Sequence, residues 1–186
     1  MNQVSCCCFD LECSSLNADF GVLLCGVVKG AGKKGVVFRA DELNPSWKTR
    51  RSDDRWLLKP LVEELSRYDI WVAYNGSRFD IPFLRSRLAH WGLSPLPSHK
   101  LLDPCQVIRT KMKLSYNSLA AAAGLLGAGA KHQVNGRLWV RATLDGDPQA
   151  MQQIVQHCLR DVSLLEKVCR MVKPYSTSFN AWGSAL

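Results

Sequence analysis

The sequence predicts a mixed α/β sheet, and three observations carry that prediction. β-rich runs crowd the first third of the chain, strands then alternate with helix-patterned segments, and a long amphipathic helix closes the pattern. The 186 residues suffice for one domain with a sizeable core. That domain is set at 1–173, with 174–186 as a weakly anchored tail.

Taken in order, residues 4–12 (VSCCCFDLE) read as a buried strand. The runs 20–29 and 35–39 flank a glycine-rich turn from Gly30 to Gly35, which predicts a hairpin. That turn is not a phosphate loop, because Lys34 is followed by Gly35 and a strand rather than by Ser or Thr and a helix. Ser52 is placed to cap a helix over 53–67, with Trp56, Leu57, Leu61, Leu65 and Tyr68 on one side. Residues 69–74 form the next strand, and a helix over 80–91 follows with Pro82 in its first turn. Leu101 and Leu102 suit a short strand and 104–112 a short helix. Ser115 is expected to cap a helix over 117–126, whose Ala120–Ala123 run suits close packing. Residues 127–146 are glycine-rich and predict an irregular surface loop. Asp147 as N-cap and Pro148 at the first helical position start a helix that runs to 172 and stops before Pro174. Its Met151, Val155, Cys158, Val162, Leu165, Cys169 and Val172 form an apolar stripe.

Composition narrows the function classes. A hydrophobic content of 47% with 22% charged residues is ordinary for a soluble globular protein. No apolar run approaches membrane-spanning length and the N-terminus lacks a signal pattern, which predicts a cytosolic protein with no membrane partner. Twenty-four Lys and Arg against 16 Asp and Glu leave a net charge of +8, pointing to an anionic partner such as nucleic acid. The eight cysteines contain no C-x-x-C pair, so they read as small hydrophobes and reduced thiols rather than as a zinc or disulfide set.

The chemistry lies in three blocks: Phe9-Asp10-Leu11-Glu12, Tyr74-Asn75-Gly76-Ser77-Arg78-Phe79-Asp80, and His157-Cys158-Leu159-Arg160-Asp161. Asp10 and Glu12 are two apart on a strand and share a face. Two acids on an otherwise apolar strand are costly without a partner. Asp80 follows a strand end, where sites collect in α/β folds. His157 and Asp161 are four apart on a helix, so they share a face and can act together. Converging carboxylates repel unless cations neutralise them. An all-oxygen set suits two Mg²⁺ or Mn²⁺ ions. Two such ions about 4 Å apart stabilise both oxygens of an in-line phosphoryl displacement. His157 would then orient or deprotonate the attacking water.

These blocks resemble the three motifs of the DEDD (DnaQ-like) 3′–5′ exonuclease superfamily, over about residues 4–172. In detail they are similar to the proofreading domains of family B DNA polymerases and to compact RNase H-like exonucleases. The resemblance implies an RNase H-like fold: a central mixed five-stranded sheet, its first three strands antiparallel, flanked by helices. It also implies two-metal hydrolysis of single-stranded nucleic acid from a 3′ end, DNA favoured over RNA, with release of nucleoside 5′-monophosphates. By position, Asp10, Glu12, Asp80 and Asp161 would be metal ligands, Asp10 bridging both ions. One departure stands out. One branch of the superfamily has Tyr four residues before the last Asp, and the other has His five before it. Here His157 stands four before Asp161. Either His157 replaces the tyrosine or the site is altered and activity is weak; imidazole accepts a proton far better than neutral tyrosine, which favours the first.

The resemblance further implies that Leu11 or Phe79 packs on the terminal base and that Asn75 binds its sugar or a phosphate. Lys48, Arg50, Arg51, Arg55, Arg78, Arg109, Lys111, Lys113, Lys131, Arg137 and Arg141 are candidate backbone contacts, and Trp47 and Trp139 candidate stacking residues. An RNase H-like endonuclease would share the carboxylates and cut internally. A nucleic-acid-binding module without catalysis would have no need of all four acids.

Overall fold

The computed structural model describes residues 4–131 and 134–176. Among these residues, five strands and seven α-helices follow in the order β1 (Cys6–Cys13), β2 (Leu23–Gly30), β3 (Val36–Arg39), α1 (Ala40–Leu43), α2 (Arg55–Leu65), β4 (Ile70–Val72), α3 (Asp80–His90), β5 (Lys100–Leu102), α4 (Pro104–Lys111), α5 (Leu119–Leu126), α6 (Arg137–Val140) and α7 (Pro148–Val172). They form one mixed sheet in the order β3-β2-β1-β4-β5. The first three strands are antiparallel, and β4 and β5 run parallel to β1. This is the RNase H-like arrangement expected from the sequence.

β1 is the central strand, and its two faces meet different helices. Leu11 pairs across from Gly26, and a Cβ on Gly26 would fall 3.1 Å from the Leu61 methyl groups of α2. The opposite face, carrying Asp10, Glu12 and Val27, looks toward α7, where Cys158 reaches Asp10 and Leu159 lies near Val27. Strand alternation therefore buries Phe9 and Leu11 under α2 and points both acids at α7. β1 pairs with β4 only as far as Cys8 and Val72, so Asp10 and Glu12 lie beyond the end of the parallel pairing. A site opens in an α/β sheet at such a place.

α7 begins as its sequence dictates, with the Asp147 carboxylate accepting from the N–H groups of Gln149 and Ala150. Every residue of its apolar stripe is buried, with Ile154, Leu164 and Val168 beside it. The glycine-rich turn after β2 leads directly into β3 with no helix. The cysteines are all free.

Four expectations are corrected. α2 starts later than Ser52 predicted, with Asp54 at the N-cap position; its buried face is Leu57, Leu58, Leu61 and Leu65, while Trp56 is exposed. Ser118, not Ser115, caps α5, accepting from the Ala121 N–H. The 127–146 segment is not wholly irregular, because α6 and a π-turn over Arg141–Asp145 bury Leu138 and Ala142. Trp47 is buried in the core and offers no stacking surface. The tail beyond residue 176 lies outside the described residues.

Candidate active site

Three elements bring the acids together. Glu12 is 8%, Asp80 2% and Asp161 4% exposed, and Asp10 is partly buried. His157 is buried on α7 with its Nε2 3.6 Å from Asp161 Oδ2 and 3.8 Å from Glu12 Oε1. The Cys158 thiol donates to the backbone oxygen of Asp10 at 3.4 Å and to its Oδ2 at 3.5 Å.

Asp80 reaches the site through a tight reversal after β4. Asn75 adopts a left-handed φ of 60°, which asparagine tolerates. A Cβ on Gly76 would fall 2.4 Å from that of Ala73, so the turn requires glycine there. Asp103 clamps the turn by accepting from the N–H of Asn75 at 2.8 Å and from the Ser77 hydroxyl at 2.7 Å. The chain then enters α3 at Asp80.

Electrostatics makes Asp10 the hub. Burial, reinforced by the Asp161 charge and opposed by Lys131, pushes Asp10 up to about 7. Burial and then the Asp10 charge push Glu12 up to about 9, against the Trp139 hydrogen bond. Burial and then Asp10 also hold Asp80 well above the usual carboxylate range. Asp10 therefore interacts with each of the other three acids. Lys131 counters part of the charge, its Nζ 2.5 Å from Asp161 Oδ2.

The donor set fits hard divalent cations. Asp10, Glu12 and Cys158 present ligand atoms within 4.8 Å of one another. Burial holds the Cys158 thiol well above its ordinary range, so it is protonated and donates to Asp10 rather than acting as a thiolate ligand. Oxygen donors remain, and they suit Mg²⁺ or Mn²⁺. Asp80 Oδ1 is buried with no hydrogen-bond partner among the described residues, an acceptor that calls for a cation.

Leu11 is buried under α2, leaving half-buried Phe79 as the more accessible of the two residues expected to meet a base. Asn75 keeps a buried Oδ1 with no hydrogen-bond partner among the described residues. Several of the proposed backbone-binding cations are engaged elsewhere: Arg55 with Asp53, Arg141 with Asp147, and Arg51 with the Leu144 carbonyl.

Sequence reasoning missed three roles. Trp139 is not a free stacking surface: it donates to Glu12 Oε2 at 3.0 Å and meets His157 edge to face. Lys131 faces Asp161, and Cys158 faces Asp10 as well as packing in the core. Neither Lys131 nor Trp139 lies in a periodic segment, so no local signal placed them. Asp103-Pro104 did carry one, the same cap-and-proline pair that marks α7.

Comparison with known proteins identifies the fold and the family. A stretch of 41 residues is 37% identical to a DNA polymerase of Methanocaldococcus jannaschii, covering 22% of this chain and 2% of that protein. The fold is similar to that of the family B DNA polymerase of Pyrobaculum calidifontis, with a TM-score of 0.74 and 18% identity over 93% of this chain. The chain spans 25% of that polymerase's length. Among the described residues, no helix is long and apolar enough to cross a membrane. The model of the RNase_H superfamily matches residues 7–172, and with a match of that extent the chain belongs to the RNase_H superfamily.

Proposed function

We propose that this chain is a metal-dependent 3′–5′ exonuclease that hydrolyses single-stranded nucleic acid, DNA in preference to RNA, to nucleoside 5′-monophosphates. The observation that carries this reading is the convergence of Asp10, Glu12, Asp161 and His157, with Asp80 buried in the field of Asp10. Asp10, Glu12, Asp80 and Asp161 would hold two Mg²⁺ or Mn²⁺ ions, with Asp10, which lies in the field of the other three acids, as the candidate shared ligand. When bound, such ions supply the positive charge that stabilises the attacking and leaving oxygens. His157 Nε2 faces the space between Glu12 and Asp161 and accepts the proton of the attacking water there. Trp139 fixes the Glu12 carboxylate by its indole N–H. The 3′–5′ polarity and the DNA preference are supported by the motif resemblance and by the likeness to DNA polymerases.

A 5′-labelled single strand tests the reaction. A progressive ladder with Mg²⁺ or Mn²⁺ is expected, with circular single strands left intact; internal cuts in the circle would instead make the protein an endonuclease. Matched DNA and RNA strands read the preference. His157→Ala should lower kcat by about 10²–10⁴-fold, the usual worth of a positioned proton acceptor, and His157→Tyr should recover part of it. Wild-type kcat in the alanine variant would remove His157 from the mechanism.

The raised acids also make stability depend on pH in a defined direction. Folded Asp10, at about 7, and folded Glu12, at about 9, bind protons that the unfolded chain has already released. The metal-free protein therefore loses stability as pH rises from about 5 to about 9, because the folded state holds more protons than the unfolded one. Divalent ions neutralise these same carboxylates, so the melting temperature gained on adding Mn²⁺ should grow across this window. A gain that stays flat or shrinks with pH would contradict metal binding at these acids.

A further inference from the structure

Trp139 meets two members of the site at once. Its indole N–H donates to Glu12 Oε2 at 3.0 Å. The same side chain meets the His157 imidazole edge to face, with ring centroids 6.0 Å apart and planes at 89°, a favoured aromatic geometry. The hydrogen bond engages one oxygen of the Glu12 carboxylate. The other, Oε1, is turned toward His157, 3.8 Å from its Nε2. A carboxylate without such a donor rotates and can grip a cation through either oxygen or both. Here the donor fixes which oxygen faces the proton acceptor.

The fold holds Trp139 from several sides. α6 has four residues, too short to persist without tertiary support. Leu138 and Ala142, four apart, are buried and pin its inner face. The Thr143 hydroxyl donates to the Trp139 carbonyl at 2.7 Å. Beyond the π-turn, Gly146 has a φ of 66°, and a Cβ there would fall 2.5 Å from Arg51 Nε. Arg51 thus lies directly against the turn, and its Nη1 donates to the Leu144 carbonyl at 3.2 Å. Asp147, the cap of α7, pairs with Arg141. Trp139 is therefore set relative to α7, which carries His157, and from there it reaches β1, which carries Glu12.

We infer that Trp139 is a positioning residue that makes Glu12 a one-oxygen ligand and keeps it in register with His157, so that one side chain tunes cation affinity and proton-accepting geometry together. The inference rests on the metal-dependent reading above. Trp139→Phe keeps a ring beside His157 and removes the N–H; Trp139→Leu removes both. Mn²⁺ affinity is read by isothermal titration calorimetry without nucleic acid. Trp139→Phe should weaken it about tenfold, the low end of the loss when the group behind a metal ligand is removed. In a Glu12→Ala background the indole has no carboxylate to hold, and Trp139→Phe should then change Mn²⁺ affinity by less than about twofold. A general weakening of the fold would instead lower affinity equally in both backgrounds, and that result overturns the inference. In single-strand cleavage, Trp139→Phe should lower kcat about tenfold with KM for the strand unchanged, because Trp139 acts through Glu12. Trp139→Leu should lower kcat further by loosening His157, and equal kcat in the two variants overturns the coupling. A raised KM with wild-type kcat would make Trp139 a stacking surface for the strand and overturn it as well. A wild type that binds no Mn²⁺ sinks the metal-dependent reading and the inference with it. A wild type that binds Mn²⁺ and cleaves, matched in both by Trp139→Phe, sinks the inference alone.

Discussion

Asp10→Asn should abolish cleavage while leaving the metal-free protein as stable as wild type, or more stable. Asp10 couples to Glu12, Asp80 and Asp161, so its loss removes the shared ligand of the proposed metal centre. The expected fall in rate is at least about 10²–10³-fold, the scale of losing one preorganised electrostatic contact, and more if both ions are lost. The stability effect runs the other way. Asp10 is partly buried among like charges, and a neutral amide relieves that repulsion. At pH 8 in chelator the melting temperature should hold or rise. Lost activity with a falling melting temperature would mean damage to the fold rather than removal of a ligand. Cleavage that survives both Asp10→Asn and excess chelator would refute metal-dependent hydrolysis at this site.

Asp54→Ala should be the most destabilising single change away from the acids. The Asp54 side chain is fully buried and its carboxylate accepts from Arg87 Nε and Nη2, both at 2.9 Å. It also accepts from Trp91 Nε1 at 2.6 Å and from the Leu23 N–H at 2.9 Å. One carboxylate thus joins the start of β2, the start of α2 and the end of α3. Removing it leaves a buried guanidinium without its anion, at a cost of about 3–5 kcal/mol. For a domain of this size that lowers the melting temperature by about 6–20 °C. Replacing both partners with apolar residues of similar volume should cost less, because no unpaired charge is left behind. Equal losses in the single and double variants, read by thermal or urea denaturation, would show that the pair's own geometry matters more than its charge balance.

Much of this was legible in the sequence because the signals are local. The Asp147-Pro148 pair sets the start of α7 with groups two and three residues away, and the stripe from Met151 to Val172 is set by helical period. The hairpin of β2 and β3 follows from two β-rich runs around a glycine-rich turn. The spacing of Asp10 and Glu12 puts both on one face of a strand without reference to anything else.

The errors arose where two local candidates competed and a distant contact chose between them. Ser52 and Asp54 both suit the start of α2, and the buried partners of Asp54 fix the chain there. Ser115 and Ser118 both precede the helix α5. The Asn117 carbonyl is held by the Tyr74 hydroxyl and the Cys105 thiol, which leaves Ser118 at the first turn. Trp56 fits the apolar pattern of α2 on paper, but it lies outward near the Arg55 guanidinium while Leu58 takes the core position.

By itself, the sequence determined the sheet class, the long helix, the four carboxylates and the family they resemble, because each rests on residue types at short spacing. Only the tertiary structure decided what surrounds those acids. Trp139 meets Glu12 across 127 positions, and Lys131 meets Asp161 from a segment without periodicity. Such contacts depend on how separate elements pack, and no pattern within either element encodes them. The same holds for Arg87 on α3, which donates to the Ala18 carbonyl 69 positions earlier in the chain.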